Sequence, residues 1–169
     1  MIEMSLLLLR VFFGLLLAAH GSQKLFGWFG GQGFGNTVKW IEGLGFRPAF
    51  LWTLLAVLGE AGGGLLLALG LLSPLGVLGI IGAMLVAIIK VHGAKGFWGT
   101  KGGYEYPLTL LIVSVVLGLV GPGSYSLDAL LGIALPEPLT LIVGLLLTIV
   151  IVGAGILTSN RRRSEQVTA

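Results

Sequence analysis

Residues 50–72 read FLWTLLAVLGEAGGGLLLALGLL, and this stretch decides the fold. A transmembrane helix needs about 20 mostly apolar residues to cross about 30 Å of hydrocarbon. The stretch has that length and carries one charged residue, Glu60, near its middle. A helix is expected because an open sheet could not satisfy its backbone hydrogen bonds in lipid. The stretch therefore predicts a membrane-spanning helix with an acidic side chain inside it.

Four further apolar stretches lie on either side of this one, at residues 5–26, 74–92, 107–120 and 139–157. We predict the fold class all-α: a polytopic transmembrane helical bundle with a four-helix core in residues 1–135 and a fifth, C-terminal helix in residues 136–158. Residues 159–169 are predicted to form a disordered, cytoplasmic basic tail. Prolines, whose missing N–H is tolerated at a helix start, mark the predicted beginnings: Pro48, Pro74, Pro107 and Pro138.

The composition excludes several classes of protein. Hydrophobic residues make up 56% of the 169 residues and charged residues only 10%, whereas soluble domains carry about 25% charged residues. A soluble globular enzyme is therefore excluded. The chain has no cysteine, so it cannot form a disulfide scaffold or a thiolate metal site by itself. We predict no intrinsic cofactor and no metal site.

The net charge of +3 could suggest nucleic acid, but the positions of the Lys and Arg residues indicate a membrane instead. They gather around the first and third connections and after the fifth stretch, while the other connections carry none. Cytoplasmic loops of membrane proteins are enriched in Lys and Arg. We therefore predict a multi-pass protein of the cell membrane, with its N-terminus outside, its C-terminus in the cytoplasm and no nucleic-acid partner.

Charged residues inside apolar helices are expected to point into the bundle, since an unpaired charge in hydrocarbon costs several kcal/mol. Arg10 and Glu60 share helix faces with small residues, and such faces allow close helix packing. At 1.5 Å per residue the two side chains would be about 8 Å apart along the membrane normal. We predict a structural ion pair between Arg10 and Glu60, with Asp128 as the rival partner of Arg10.

A second polar group is predicted near the cytoplasmic helix ends, where several side chains lie at similar depth. With Glu60, these residues form a candidate ligand-binding cluster: His20, Lys24, Lys90, His92 and Glu105. Alternatives stay open: the lysines snorkel to the interface, Glu105 stabilises a helix N-terminus, or the histidines bind haem. No nucleophile–base signature is present, so no catalytic residue is predicted.

The polar residues form an ordered series of motifs. They are Arg10-x3-Gly14, His20-Gly-Ser-Gln-Lys24-Leu-Phe, Glu60-Ala-Gly-Gly-Gly, Ala87-x4-His92, Gly102-Gly-Tyr-Glu105 and Gly121-Pro-Gly-Ser-Tyr-Ser-Leu-Asp128. From about residue 5 to residue 131 this series resembles the DoxX family of small integral membrane proteins. The resemblance implies a four-helix membrane core, and some family members are linked to redox work, such as small subunits of thiosulfate:quinone oxidoreductase. The fifth apolar stretch and the Arg-rich tail depart from that pattern.

The resemblance and the inward polar groups together predict a membrane subunit associated with redox chemistry. It would bind a quinone or a similar apolar, carbonyl-bearing molecule, with His20, Lys24 or His92 at the carbonyl oxygens and Glu60 or Glu105 relaying protons. A soluble or membrane redox partner would supply electrons, and a homo-oligomer stays open. The alternatives are a non-catalytic membrane anchor or assembly protein, and a small proton or solute transporter gated by Arg10 and Glu60.

Overall fold

The structure, a computed structural model, describes residues 1–136 and 138–168, with side chains through Arg161 apart from that of residue 137. Its helices are α1 (Ile2–Leu25), α2 (Gly33–Gly43), α3 (Ala49–Leu69), α4 (Ser73–Lys95), α5 (Glu105–Val120), α6 (Leu127–Leu131) and α7 (Leu139–Thr168). No strand occurs among the described residues. The all-α fold class predicted from the sequence is thus confirmed.

Four of these helices, α1, α3, α4 and α7 as far as Arg161, are long and apolar enough to cross a membrane. Helix α5 is equally apolar but has 16 residues, which gives it a length of about 24 Å. The chain is therefore a polytopic helical bundle suited to a bilayer. The side of the membrane on which each terminus lies stays a prediction.

Successive long helices alternate in direction, so the start of one helix lies at the same end of the bundle as the end of the next. The start of α1 contacts the segment after α5, because Glu3 Oε2 accepts hydrogen bonds from the Ser124 backbone N–H at 2.7 Å and its hydroxyl at 2.8 Å. At the opposite end, the end of α4 contacts α7, where Lys90 Nζ donates to Asn160 Oδ1 at 2.7 Å. We call these the Glu3 end and the Lys90 end.

Helices α1 and α3 approach each other closely through small residues. A Cβ atom added to Gly14 would lie 2.5 Å from Ala68 N, and one added to Gly64 would lie 2.5 Å from Ala18 N. Gly21 is held as tightly against Ala61. The small-residue packing face predicted from the sequence is present, and it fixes the register of α1 against α3.

Two helices contain a π-helical turn. Residues Leu58–Gly62 form one inside α3, around Glu60, and residues Ala87–His92 form the other inside α4. Such turns are rare and occur mostly as single-turn bulges, often at functional sites. The turn in α3 lies at the middle of that helix, and the turn in α4 lies toward the Lys90 end.

Helix α7 packs along α4 and α3 on its small residues. Gly144 lies against Leu78, Thr148 against Gly82, and Gly155 against the ring of Trp52. The backbone is helical through Thr168, so α7 includes residues of the tail that the sequence predicted to be disordered. No Gly or Pro after Gly155 ends the helix. The predicted domain boundaries themselves remain predictions.

Candidate ligand-binding site

The central polar feature is an ion pair between Lys24, at the end of α1, and Glu60, in the π turn of α3. Lys24 Nζ donates to Glu60 Oε1. The Glu60 side chain is only 5% exposed, whereas that of Lys24 is 29% exposed. The second carboxylate oxygen, Glu60 Oε2, is buried and accepts no hydrogen bond from any residue that the structure describes. The pair therefore leaves a buried acceptor unsatisfied by the protein.

The structure places Glu60 beside Lys24 and not beside Arg10, and the helix register explains why. Gly14 faces Ala68 and Gly21 faces Ala61, so Lys24, one turn further along α1, reaches Glu60. Arg10 instead lies beside Gly70, where a Cβ would be 2.5 Å from Arg10 Nη1. Since Gly70 is ten residues from Glu60, the two sites are about 15 Å apart along α3.

Arg10 and Asp128 belong to a separate cluster at the Glu3 end. Arg10 is buried, and its guanidinium donates to the carbonyl oxygen of Pro122 and, at 2.6 Å, to that of Tyr125. Asp128 acts on Arg10 through space, but the two form no direct ion pair within the described residues. The guanidinium thus ties the segment after α5 to α1.

Asp128 holds the start of α4. Its Oδ1 accepts from the Leu72 backbone N–H at 2.8 Å, and its Oδ2 accepts from the Ser73 backbone N–H at 3.1 Å and the Ser73 hydroxyl at 3.2 Å. A carboxylate at a helix N-terminus satisfies backbone donors and favours the helix dipole. These contacts give Asp128 a structural role.

Lys24 and Glu60 line a cavity of about 230 Å³ between α1, α2, α3, α4 and α7. Most of its walls are apolar or aromatic, and both π turns contribute to them. The lining residues are Lys24, Thr37, Trp40, Ile41, Phe46, Trp52, Leu55, Ala56, Glu60, Leu78, Gly79, Gly82, Ala83, Val86, Ala87, Val91, Thr148, Ile151 and Val152. An apolar cavity with a few convergent polar groups is the usual form of a small-molecule site.

The other members of the predicted cluster make separate contacts. His20 Nε2 hydrogen-bonds Tyr106 Oη at 2.8 Å, and His92 Nδ1 hydrogen-bonds the Gly102 carbonyl oxygen at 2.7 Å. None of His20, Lys90, His92 and Glu105 lines the cavity. The structure therefore brings Lys24 to Glu60 and leaves the rest of the proposed cluster outside the cavity.

Two of these outer residues make their contacts near helix ends. Glu105 is the first residue of α5, and its Oε2 accepts from the Gly99 backbone N–H at 2.7 Å, which is consistent with its stabilising that helix start. Lys90 lies near the end of α4, with Nζ 5.7 Å from the centre of the Phe46 ring and bonded to Asn160. Both residues therefore have structural roles near helix ends.

Comparisons with known proteins place the chain in a family. The family model described as DoxX matches residues 5–93, which is more than half of the chain. The chain belongs to the DoxX family. It is also 31% identical over 128 residues to a protein of Bacillus subtilis (strain 168) named "Putative oxidoreductase CatD", and the match covers 75% of this chain and 86% of that protein. No solved structure matches the chain.

The residues matched by the DoxX model include Lys24, Glu60 and the cavity walls from α1 to α4. The wall supplied by α7, with Thr148, Ile151 and Val152, lies beyond them. In this DoxX protein the fifth helix predicted from the sequence is part of the candidate site, because three of its residues line the cavity.

Sequence reasoning missed the aromatic and hydroxyl residues of the site. Trp40 and Trp52 line the cavity, although tryptophans near helix ends suggest only membrane interfaces. Thr37 and Thr148, which also line the cavity, had no signal of their own. Neither had Tyr106, the partner of His20 outside the cavity. The Lys24–Glu60 pair did have one: matching the glycine faces of α1 and α3 in antiparallel order places these two residues side by side.

Proposed function

We propose that this DoxX protein is a membrane subunit of a redox system, and that it binds a quinone or a similar apolar ring bearing carbonyl groups in the cavity at Lys24 and Glu60. The observation that carries the proposal is the buried ion pair on the wall of an otherwise apolar cavity. A charged pair in such surroundings is expensive to desolvate. A ligand that completes its hydrogen bonds accounts for its position.

The size and chemistry of the cavity support a single-ring head group. Its volume of about 230 Å³ is below the range of about 300–1,000 Å³ typical of sites for drug-sized ligands. The rings of Trp40 and Trp52 provide flat apolar walls. The ammonium group of Lys24 has three N–H donors, so it can donate to a ligand oxygen while holding Glu60.

Redox activity would require a partner protein. A quinone bound at this site exchanges electrons only with a donor or acceptor close to the ring. The described side chains offer ring packing and hydrogen bonding, and we propose that a soluble or membrane partner supplies the electrons. The name of the relative from Bacillus subtilis, an oxidoreductase, agrees with this role.

One observation counts against the alternative of a proton or solute transporter gated by Arg10 and Glu60. That alternative used Arg10 and Glu60 as a gate, and these residues lie in separate clusters with different partners. The anchor alternative has no cavity requirement, so a binding experiment separates it from the proposal.

The test is a titration with a short-chain quinone of purified protein in detergent, read by tryptophan fluorescence. A variant with Trp28→Phe and Trp98→Phe keeps only the two tryptophans that line the cavity. We expect saturable quenching in this variant. The matched control, Trp40→Phe with Trp52→Phe, keeps only the tryptophans outside the cavity and should show the weak linear quenching of partitioning into micelles. Linear quenching in both variants would reject the proposal and favour an anchor.

A further inference from the structure

We infer that the cavity binds the reduced, hydroxyl-bearing form of its ligand, a quinol, more tightly than the oxidised quinone. This inference rests on the proposed function and adds the redox state of the ligand that the site selects. It follows from the chemistry of Glu60 Oε2, a buried hydrogen-bond acceptor without a partner among the described residues.

The buried atom without a partner is a hydrogen-bond acceptor on a residue that lines the cavity. Glu60 Oε1 accepts from Lys24, whereas Oε2 is buried and accepts nothing from the described residues. An ionised carboxylate can only accept hydrogen bonds, and leaving a buried acceptor unsatisfied is unfavourable. The group that completes this site must therefore bring an O–H or N–H.

The nearby polar side chain on α2 does not supply that donor. The Thr37 hydroxyl also lines the cavity, but it donates at 2.8 Å to the Gly33 carbonyl oxygen and lies 3.3 Å from the Lys24 carbonyl oxygen. It is engaged by the backbone of its own helix. The Tyr106 hydroxyl, which interacts electrostatically with Glu60, is hydrogen-bonded to His20. Neither hydroxyl is therefore a hydrogen-bond partner of Glu60 Oε2.

A quinone and a quinol differ at this point. The carbonyl oxygen of a quinone can accept from Lys24 but has no hydrogen to give to Glu60. A phenolic hydroxyl can do both, since its oxygen accepts from Lys24 while its hydrogen is donated to Oε2. Hydrogen bonds to ionised groups are stronger than those between neutral groups. The quinol therefore bonds to both Lys24 and Glu60, whereas the quinone gives Glu60 Oε2 no donor.

The experiment compares one ring in its two redox states. Anaerobic calorimetry in detergent would measure the dissociation constants of a short-chain ubiquinone and of the ubiquinol made from it. We expect the quinol to bind about tenfold more tightly, as one additional charge-assisted hydrogen bond predicts. Equal affinities, or tighter binding of the quinone, would overturn the inference and leave the proposed function standing. Absence of binding by either form would overturn both.

The Glu60→Gln variant sharpens the comparison because it keeps the shape and changes the bonding. Its amide oxygen can accept from Lys24 while its NH₂ group donates into the cavity. The preference should then shift toward the quinone by about tenfold or more relative to the unmodified protein. The control is Glu42→Gln, at an exposed acid outside the cavity, which should keep the preference for quinol. An unchanged preference in Glu60→Gln contradicts the inference. Should that variant fail to fold, the ratio measured for the unmodified protein still decides.

Discussion

The protein buries charge in two places, and the two places use it differently. At the Glu3 end, Arg10 donates to two backbone carbonyl groups and Asp128 uses both carboxylate oxygens at the start of α4. At the middle of α3, Lys24 and Glu60 pair with each other beside a cavity. Among the described residues, Glu60 Oε2 has no hydrogen-bond partner, and neither has Arg10 Nε in the first cluster. Neither Arg10 nor Asp128 lines that cavity.

The difference separates a structural cluster from a candidate binding site. Charges that bond to backbone groups from several segments join those segments together. The Lys24–Glu60 hydrogen bond instead joins two side chains that both line a cavity. Burial of an ionisable residue is therefore a poor guide to function by itself, and the destination of its hydrogen bonds is a better one.

The largest effect on stability is expected from Arg10→Met. This change leaves the Pro122 and Tyr125 carbonyl groups without their donor and removes the cation beside Asp128. Breaking such a buried cluster costs about 3–5 kcal/mol of unfolding free energy, to be measured by unfolding in detergent. Ligand affinity of the folded protein should not change. A loss below about 1 kcal/mol would show that this cluster resembles a surface pair.

Next in size is the effect of removing both charges at the cavity, with Lys24→Met and Glu60→Leu together. Replacing a buried ion pair by apolar residues is often neutral or stabilising by about 1–4 kcal/mol, so the protein should unfold no more easily than before. Quinol affinity should fall about 100-fold, which corresponds to two charge-assisted hydrogen bonds. The same unfolding and calorimetric measurements apply. A large loss of stability would assign this pair to the scaffold.

A smaller effect is expected from Gly82→Ala, which tests the wall between α4 and α7. The added Cβ would lie 3.2 Å from Thr148 Cγ2 and 3.8 Å from Val152 Cγ2, and Gly82 lines the cavity. The narrowed cavity should reduce ligand affinity by about tenfold, in line with the effect of one methylene group. Gly153→Ala, where a Cβ would meet nothing within 4 Å, is the control and should bind normally. Equal affinities in the two variants would place the ligand elsewhere.

The smallest effect is expected from Glu42→Gln, at the exposed ion pair with Arg47. Both side chains are more than 40% exposed, and such pairs contribute about 0–1 kcal/mol. Unfolding free energy should change by no more than that, and binding should be unaffected. A change above about 2 kcal/mol would mean that the exposure of an ion pair does not predict its contribution to the unfolding free energy of this protein.

The bundle was predictable from the sequence because its causes are local. Long apolar stretches need helices in lipid, and prolines stand near helix starts: Pro48 directly precedes α3 and Pro74 is the second residue of α4. The small residues of α1 and α3 were also identified correctly as a packing face. Each of these features depends on neighbours along the chain.

The site was less predictable because it depends on register between helices. Counting residues from the helix ends placed Glu60 near Arg10, whereas the contacts of Gly14 and Gly21 place it near Lys24. Local sequence also does not distinguish a tryptophan at a membrane interface from one in a cavity wall, as Trp52 shows. The π turn around Glu60 has no sequence signature beyond its glycines.

The π turn at Leu58–Gly62 has a consequence for how this helix could change by insertion and deletion. A π turn accommodates an extra residue within one turn, so shortening it by one position would restore regular helix. The flanking segments, Ala49–Val57 and Gly63–Leu69, would keep their orientation, and the contacts of α1 with Gly64 and Ala68 would survive. Within the turn, Glu60 would lose its orientation toward Lys24, and Ala61 would shift against Gly21. Deletion of one residue from this turn would thus abolish ligand binding in the cavity while the packing of α3 on either side of the turn is kept.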